Sequence, residues 1–558
     1  TVEGVGYGVH VAYGNEVNID NVTMTDVAYG IMTQNYGAKT ITIKNSNISG
    51  TYPIYVWERN TTVVDTFKFE GANTLSTLTS SNQAKLVLAE ADATLTAPEG
   101  YNVTTIPNYV VVYEGGMYKV KPAVASIKAD GTTTYYETLA DAIAAIGAGD
   151  VVIELLDDVT FDYNARDAYG ITETTSVTIK GNGKTLTLNQ INSDWSSFGL
   201  KNADAKVVFN DMTIEKTGYG DTSGAWNTHT IIFSSNVEMT DVIVNNSMAV
   251  QNGATLNNVT IYEANGYYGL WINGNGQSVT MTGGSITATN GGRGIKIADQ
   301  YIDAPALVTL NVTGTTFNTA EKAAVLVSSK AGAVITASNV DITDVTEDNV
   351  NFAWVDEDWA AYYSTVEVIG GNVAQESVDS FPIIVKNDEN KVISYFKNLD
   401  NLFDNVAAYS QLTTVNVELT GDAVATKVVK TNSFKTYNFT TQDTEGVTMD
   451  LQYADNWNYF RKVNIGENII VKCKYMVFST DVTIAGTIDA YYPYISGAKV
   501  TVTETGVLKY EGGDALQVKG NGAVLTVKGK VIAPTINVWV GNAQLVVSGT
   551  NAQIESNW

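Results

Sequence analysis

The sequence contains one cysteine, few cations and no long apolar run, and each scarcity excludes a class of protein. With Cys473 as its only cysteine, the chain cannot form an internal disulfide, so a disulfide-stabilised scaffold is excluded. Binding to nucleic-acid phosphates requires clustered Lys and Arg. Because the net charge is −26 and no basic stretch occurs, we expect no nucleic-acid partner. No apolar run approaches the ~20 residues of a membrane helix, so we expect no transmembrane segment.

The residues that are abundant favour strands and turns. The chain has 48 glycines and 31 tyrosines, while charged residues make up only 16%. Its 558 residues exceed the size of one hydrophobic core, which predicts several domains or a one-dimensional repeat. Because Thr1 lies in the middle of a repeat, we expect the chain to be part of a longer protein.

A short repeat recurs along the chain. Residues 17–24 (VNIDNVTM) and 41–48 (ITIKNSNI) both alternate apolar and polar residues, place Asn at the fifth position, and resume the alternation one phase later. This pattern predicts two short strands joined by a one-residue bend. Asn, Asp and Gly tolerate the left-handed conformation that such a bend requires. The predicted bend positions are Asn21, Asn45, Asp211, Asp241, Asn258, Gly283, Gly314 and Asn339.

A third strand follows each pair of strands that a bend joins. It begins with a small residue before aliphatic residues, as in residues 268–272 (YGLWI) and 293–297 (RGIKI). The alternating strands, the bend and the Gly-Ile opening resemble the right-handed parallel β-helix of the pectate-lyase-like superfamily. The resemblance implies an all-β fold of right-handed parallel β-helix solenoid modules in tandem. Inward side chains would form continuous aliphatic stacks along each solenoid.

Two segments instead carry helical spacing. Residues 138–147 (TLADAIAAIG) have apolar positions at 139, 142, 143 and 146, with Thr138 as N-cap, and residues 398–406 (NLDNLFDNV) repeat the pattern. We expect each helix, at about 138–146 and about 398–408, to cap the first coil of a module. The predicted domains are 1–122, the end of a first module with a closing hairpin, 123–385, a second module, and 386–558, a third module, complete or incomplete.

The second module carries a further resemblance. Residues 136–143 (YETLADAI), 155–160 (LLDDVT) and 183–188 (GKTLTL) look like the module openings of large repetitive bacterial cell-surface proteins of the adhesin type. The third module departs from this pattern, because nothing equivalent to 183–188 follows Glu418. The resemblance implies an extracellular, cell-surface location.

Catalytic chemistry finds little support in the residues. The four arginines, Arg59, Arg166, Arg293 and Arg461, are scattered, and the two histidines, His10 and His229, lack partner motifs. The paired carboxylates Asp157-Asp158, matched by Gly421-Asp422, suit a turn. Cys473 alternates with lysines and should point inward as a small buried residue. We therefore predict no catalytic, cofactor-binding or metal site.

One acidic and aromatic patch stands out, formed by Trp354, Asp356, Glu357, Asp358 and Trp359. Aromatic rings stack on sugars while carboxylates hold hydroxyl groups or calcium, so the patch is a candidate glycan or structural calcium site. The competing interpretation is that its aromatic residues seal the last coil of the second module.

Together these observations predict a non-catalytic surface protein, a structural rod or adhesin. Its expected partners are surface glycans or proteins, or neighbouring copies in a filament or layer, and no cofactor is expected. The alternative is a polysaccharide lyase or glycoside hydrolase, because the pectate-lyase-like fold includes many such enzymes.

Overall fold

The structure is a computed structural model, and it is almost entirely β, as the sequence predicts. It divides into two compact units, Thr1–Asn246 and Ser247–Trp558. The predicted module boundaries at 122/123 and 385/386 stay predictions. The structure describes residues 1–57, 60, 62–77, 82–164, 167–191, 198–218, 230–289, 293–299, 302–319, 323–343, 351–355, 362–363, 366–451 and 456–556.

The first part of unit 1 contains two ladders of parallel strands. One ladder consists of Val2–Glu3, Tyr7–Val11, Thr23–Gln34, Asn47–Trp57, Ala72–Leu75 and Thr94–Thr96. The other consists of Glu16–Asp20, Thr40–Lys44, Asp65–Glu70, Ala84–Leu88 and Val103–Thr105. An antiparallel hairpin, Tyr109–Glu114 with Met117–Pro122, pairs with Thr94–Thr96 and ends the first ladder. It lies where the sequence predicts a closing hairpin.

The second part of unit 1 begins with another hairpin. Its strands are Ala125–Ala129 and Thr132–Tyr136, and the first also pairs antiparallel with Gly149–Leu155. A parallel ladder continues through Gly149–Leu155, Thr174–Gln190, Lys206–Gly218 and Asn236–Val244, with Val159–Tyr163 beside it. The shorter strands are Ala168–Tyr169, Gly199–Leu200 and Thr230–Phe233.

Unit 2 opens with three parallel ladders. The first consists of Ser247–Val250, Tyr268–Asn273, Arg293–Ala298, Ala323–Ser328 and Asn351–Val355. The second consists of Ala254–Asn257, Ser278–Thr282, Val308–Thr313, Ala333–Ser338 and Val366–Ile369. The third consists of Thr260–Glu263, Ser285–Ala288, Thr316–Thr319 and Asp341–Thr343. The helix Gln375–Asp379 follows them.

The second part of unit 2 starts from antiparallel strands, Tyr362–Tyr363, Ile383–Lys386 and Val392–Phe396. A parallel ladder then runs through Thr414–Leu419, Thr436–Thr441, Val463–Ile465, Val482–Ile484, Lys499–Val502, Val524–Val527 and Gln544–Val547. A second ladder contains Ala423–Val424, Val447–Leu451, Asn458–Phe460, Ile469–Phe478, Thr487–Ser496, Val507–Tyr510, Leu516–Lys519, Lys530–Ile532, Ile536–Trp539 and Gln553–Glu555.

The core consists of inward columns in which one apolar side chain lies over the next. Strand Thr40–Lys44 pairs in register with Asp65–Glu70, so that Ile43 lies beside Phe69, and Phe69 in turn lies beside Leu88. All three side chains are fully buried. Each burial contributes about 1.5–3 kcal/mol, which makes these columns the main source of stability in a chain without disulfides.

All eight predicted bend positions adopt positive φ. The six non-glycine bends have φ between 46° and 55°, and Gly283 and Gly314 have φ of 67° and 63°. The Asn45 side chain also binds strand Ala72–Leu75, because its Oδ1 accepts a hydrogen bond from Ala72 N at 3.2 Å. The left-handed conformation at these positions lets the chain turn between two strands without losing its inward columns.

The helices lie where the sequence predicts them but are shorter. The first spans Leu139–Ala144, and Thr138 caps it by accepting a hydrogen bond from Asp141 N. The second spans Leu399–Asp404, with Asn398 as cap, and the predicted remainder is a 3₁₀ helix, Val406–Tyr409. A hairpin precedes each helix, and its first strand pairs with the strand after the helix. Each predicted cap thus comprises a hairpin as well as a helix.

Candidate binding surfaces

Stacked tyrosines form an outward column in unit 1. Register places Tyr7 beside Tyr29 and Tyr29 beside Tyr52, and their ring centroids are 5.2 and 5.3 Å apart with nearly parallel planes. The Tyr55 ring packs edge-on against the Tyr29 ring, and the ring centroids of His10 and Tyr7 are 6.0 Å apart. Because parallel strands repeat at about 4.8 Å, in-register rings stack without distorting the backbone.

A second aromatic pair lies just beyond the ends of strands Tyr7–Val11 and Thr23–Gln34. Tyr13 and Tyr36 stack at 5.4 Å with planes 5° apart, and 82% of Tyr13 is exposed. Trp57, at the end of the strand that carries Tyr52, is also exposed. We refer to Tyr7, Tyr13, Tyr29, Tyr36, Tyr52, Tyr55 and Trp57 as the tyrosine surface. Exposed aromatic groups at this density are typical of interaction sites, because Tyr and Trp bury much area at little entropic cost.

Unit 2 carries an aromatic cluster of its own in the ladder that contains Ile469–Phe478. Tyr475 stacks on Tyr492 at 5.6 Å, and Trp457 packs against Tyr475 at 5.2 Å. The Lys519 ammonium lies 4.8 Å from the centre of the Tyr494 ring. A surface of aromatic rings with a cation over one of them suits sugar rings or polar protein surfaces.

A phenol and two cations meet on strands Tyr268–Asn273 and Arg293–Ala298. Arg293 Nη1 donates to the Tyr268 hydroxyl at 3.2 Å and Lys296 Nζ donates to it at 3.0 Å. Lys296 also lies over the rings of Tyr268 and Trp271. Register produces this cluster, because Tyr268 pairs with Arg293 and Trp271 with Lys296. Lys296 is only 2% exposed, so Arg293 and Tyr268 are its accessible members.

The predicted acidic and aromatic patch falls mostly outside the described residues. Of its members only Trp354 is described, half-buried on strand Asn351–Val355, where it pairs in register with Leu326. Asp356, Glu357, Asp358 and Trp359 lie outside the described residues. The glycan or calcium site there stays a prediction.

The remaining candidate residues that the structure describes make contacts that stabilise the fold. Asp158 Oδ1 accepts a hydrogen bond from Thr185 N at 2.8 Å, and Asp422 Oδ1 accepts one from Thr448 N at 2.7 Å. Each carboxylate thus ties a turn to the adjacent strand. Arg461 donates to Ser479 Oγ and lies over the Tyr459 ring. Arg59, Arg166 and His229 lie outside the described residues.

Burial determines the reactivity of the Cys473 thiol. Cys473 is 2% exposed in strand Ile469–Phe478, and burial, then the Asp489 carboxylate, raises the pKa of the thiol. The protonated form is a poor nucleophile and a poor metal ligand. Within the described ranges, no group of three or more His, Cys, Asp or Glu residues is placed to hold a metal ion. No helix among those residues has the length and apolarity needed to span a membrane.

Sequence reasoning missed the tyrosine surface and the Tyr268 cluster. The tyrosines that stack recur at intervals of 22 and 23 residues, a spacing that could have signalled the column, and the strand register brings their rings together. Comparison of the chain with protein-family models, curated proteins and solved structures finds no match. The surfaces themselves therefore carry the functional argument.

Proposed function

We propose that the chain is a non-catalytic, extracellular adhesive rod, built from tandem right-handed parallel β-helix modules. The parallel ladders, the inward apolar columns and the left-handed bends support the β-helix. The observation that carries the adhesive role is the tyrosine surface, a set of aromatic rings on one ladder of unit 1 and just beyond the ends of its strands. Its partners are surface glycans or proteins, or neighbouring copies of the chain.

The strong negative charge fits an exposed surface protein, since a net charge far from zero keeps a protein soluble. The adhesive contacts that we propose are uncharged. The tyrosine surface supplies them through ring faces, ring edges and phenol hydroxyls.

Binding to immobilised glycans, matrix proteins and whole cells tests the proposal. Replacing Tyr13, Tyr36 and Tyr52 together with Ser should reduce binding at least about tenfold, because exposed aromatic anchors supply most of the energy of such interfaces. Tyr262→Ser, at an exposed tyrosine of unit 2, is the matched control and should bind like the wild type. Equal binding by the triple variant would overturn the proposed surface.

The Tyr268 cluster favours a second candidate function, the cleavage of acidic polysaccharides. Arg293, the accessible cation of the cluster, lies beside a phenol, and Arg is a residue type that holds a sugar carboxylate. Incubation with acidic polysaccharides, followed by assay for new reducing ends or unsaturated products, tests this function. Turnover that Tyr268→Phe abolishes would support an enzyme, whereas no product over a broad panel would leave the adhesive rod.

A further inference from the structure

An outward line of side chains crosses five neighbouring strands of the unit 2 ladder that contains Ile469–Phe478. Each member lies within its strand or directly after it, and strand register places the members next to one another. The residue before each member is apolar, and four of these five residues are fully buried, so alternation along the strand turns the members outward. We refer to the members as the basic line: Arg461, Ser479, Ser496, Lys519 and Trp539.

The Lys519 ammonium is positioned by aromatic rings. Its Nζ lies 4.8 Å from the centre of the Tyr494 ring on the preceding strand and 5.3 Å from that of Trp539 on the following strand. Among the described residues, none accepts a hydrogen bond from Nζ and no carboxylate pairs with it. The side chain is partly exposed, so the rings fix a charge whose donors stay available to a ligand.

Arg461 supplies a second accessible cation. Its Nε donates to Ser479 Oγ at 3.3 Å, and its guanidinium carbon lies 5.8 Å from the centre of the Tyr459 ring. In the part of the chain that the structure describes, no residue accepts from the two Nη groups, which are the fork that holds a carboxylate or sulfate. The short side chains of Ser479 and Ser496 separate it from Lys519, and three strand spacings put the two backbones about 14 Å apart.

The surroundings of the basic line are positive or neutral. The adjacent outward column contains no charged residue and consists of Tyr459, Val477, Tyr494, Gln517 and Asn537. In the turns that follow the line, Lys462 and Lys499 outnumber Asp481, and residues 456–556 are described without a gap. A positive line therefore lies on a chain whose net charge is −26.

We propose that the basic line binds an acidic glycan, a chain of sugars that carry carboxylate or sulfate groups. The anionic groups bond to Arg461 and Lys519, sugar hydroxyls bond to Ser496 and to the Gln517 amide, and an apolar ring face packs on Trp539, which is 52% exposed. The separation of the two cations requires several sugar residues. The proposal names a partner class for the adhesive rod and rests on that role, but its site is on unit 2, separate from the tyrosine surface.

Calorimetric titration of the full chain with oligosaccharides of alginate and of dextran sulfate tests the proposal. We expect at least one of them to bind, with an affinity that falls as salt is added, and uncharged dextran not to bind. Binding of alginate alone would identify a carboxylated glycan, and binding of dextran sulfate alone a sulfated one. No binding of either, or equal binding of polyglutamate or of a thymidine oligonucleotide, would overturn the proposal.

Substitutions locate the site. Lys519→Met and Arg461→Met should each weaken binding about 3- to 10-fold, because each removes one charged contact. Lys519→Arg should bind like the wild type at every salt concentration, which a purely structural role does not require. Lys528→Met, which removes an exposed cation directly after strand Val524–Val527 of the other ladder, is the matched control.

Equal affinities of the Lys519→Met and Lys528→Met variants would also overturn the proposal. The triple tyrosine variant of unit 1 separates this site from the proposed function. It should bind the acidic glycan like the wild type, so a failure of the basic line leaves the tyrosine surface untouched, and a failure of the tyrosine surface is seen in its own assay.

Discussion

At the scale of single residues, the left-handed bends specify how each strand pair turns. Asn45 adopts φ of 46° and its Oδ1 approaches the backbone of the neighbouring strand, near Gly71. Asn combines tolerance of this conformation with a short side chain that reaches the adjacent amide. These positions could be predicted from sequence because both requirements act locally.

Asn45→Val should lower the free energy of unfolding by about 2 kcal/mol, because a β-branched residue is strained at positive φ and the bond to Ala72 N is lost. Asn45→Gly relieves the backbone, so it should cost clearly less. Urea unfolding of the two variants checks the order. Equal losses would show that the side-chain hydrogen bond, and not the backbone conformation, dominates.

Lys462 departs from the Asn, Asp or Gly rule for left-handed bends, since it adopts φ of 49° although Lys lacks the short polar side chain that favours this conformation. Lys462→Asn should therefore raise the free energy of unfolding by about 0.5–1 kcal/mol. Lys499→Asn, within the extended strand Lys499–Val502, is the control and should bring no gain. The thermal and urea midpoints of unfolding of both variants test this prediction, and equal midpoints for the two variants would contradict it.

Lys216 gives the fold a pH dependence. Burial lowers the pKa of its ammonium to about 8, below the ordinary value of 10.5, while Nζ donates to the Thr230 carbonyl. The unfolded chain therefore binds more protons between pH 8 and 10.5, and stability rises with pH across that window. The gain is about 3 kcal/mol at most. Unfolding measured from pH 7 to 10.5 should show this rise in the wild type and not in Lys216→Met.

At the scale of elements, the caps combine predictable and unpredictable features. The helical spacing at 139–146 and 399–406 identifies both helices from sequence. The hairpins before them were missed, although Asp130-Gly131, both at positive φ, is a strong hairpin signal. The 3₁₀ helix Val406–Tyr409 could not be predicted, because it depends on the buried Tyr409 hydroxyl donating to the Leu402 carbonyl.

Lys435 secures the second cap. Its buried ammonium donates to the carbonyls of Tyr409, Ser410 and Leu412, which end the 3₁₀ helix. Lys435→Met should lower the free energy of unfolding by about 3 kcal/mol, because the charged hydrogen bonds to three carbonyls are lost. Lys427→Met, which removes only the exposed pair with Asp404, should leave the urea midpoint unchanged. Similar effects of the two variants would contradict the role of Lys435.

At the scale of the whole molecule, the sequence predicts the all-β class but not the surfaces. The alternation of apolar and polar residues and the bend residues are local signals, so they can be recognised in the sequence whatever the length of the intervening loops. The stacking of Tyr7, Tyr29 and Tyr52 depends on which strands become neighbours, and so does the meeting of Arg293 with Tyr268. Both are tertiary outcomes that no short motif encodes.

The central claim is the parallel, in-register stacking of successive strands, and engineered disulfides test it most directly. Thr42 pairs with Lys68, and Lys68 pairs with Val87 one strand further on. In a Cys473→Ala background, Thr42→Cys with Lys68→Cys should oxidise to an intramolecular disulfide, because neighbouring strands lie about 4.8 Å apart. Thr42→Cys with Val87→Cys, separated by a strand, should stay reduced. Cross-linking of the 42/87 pair but not of the 42/68 pair would contradict the stacking and the rod proposed from it.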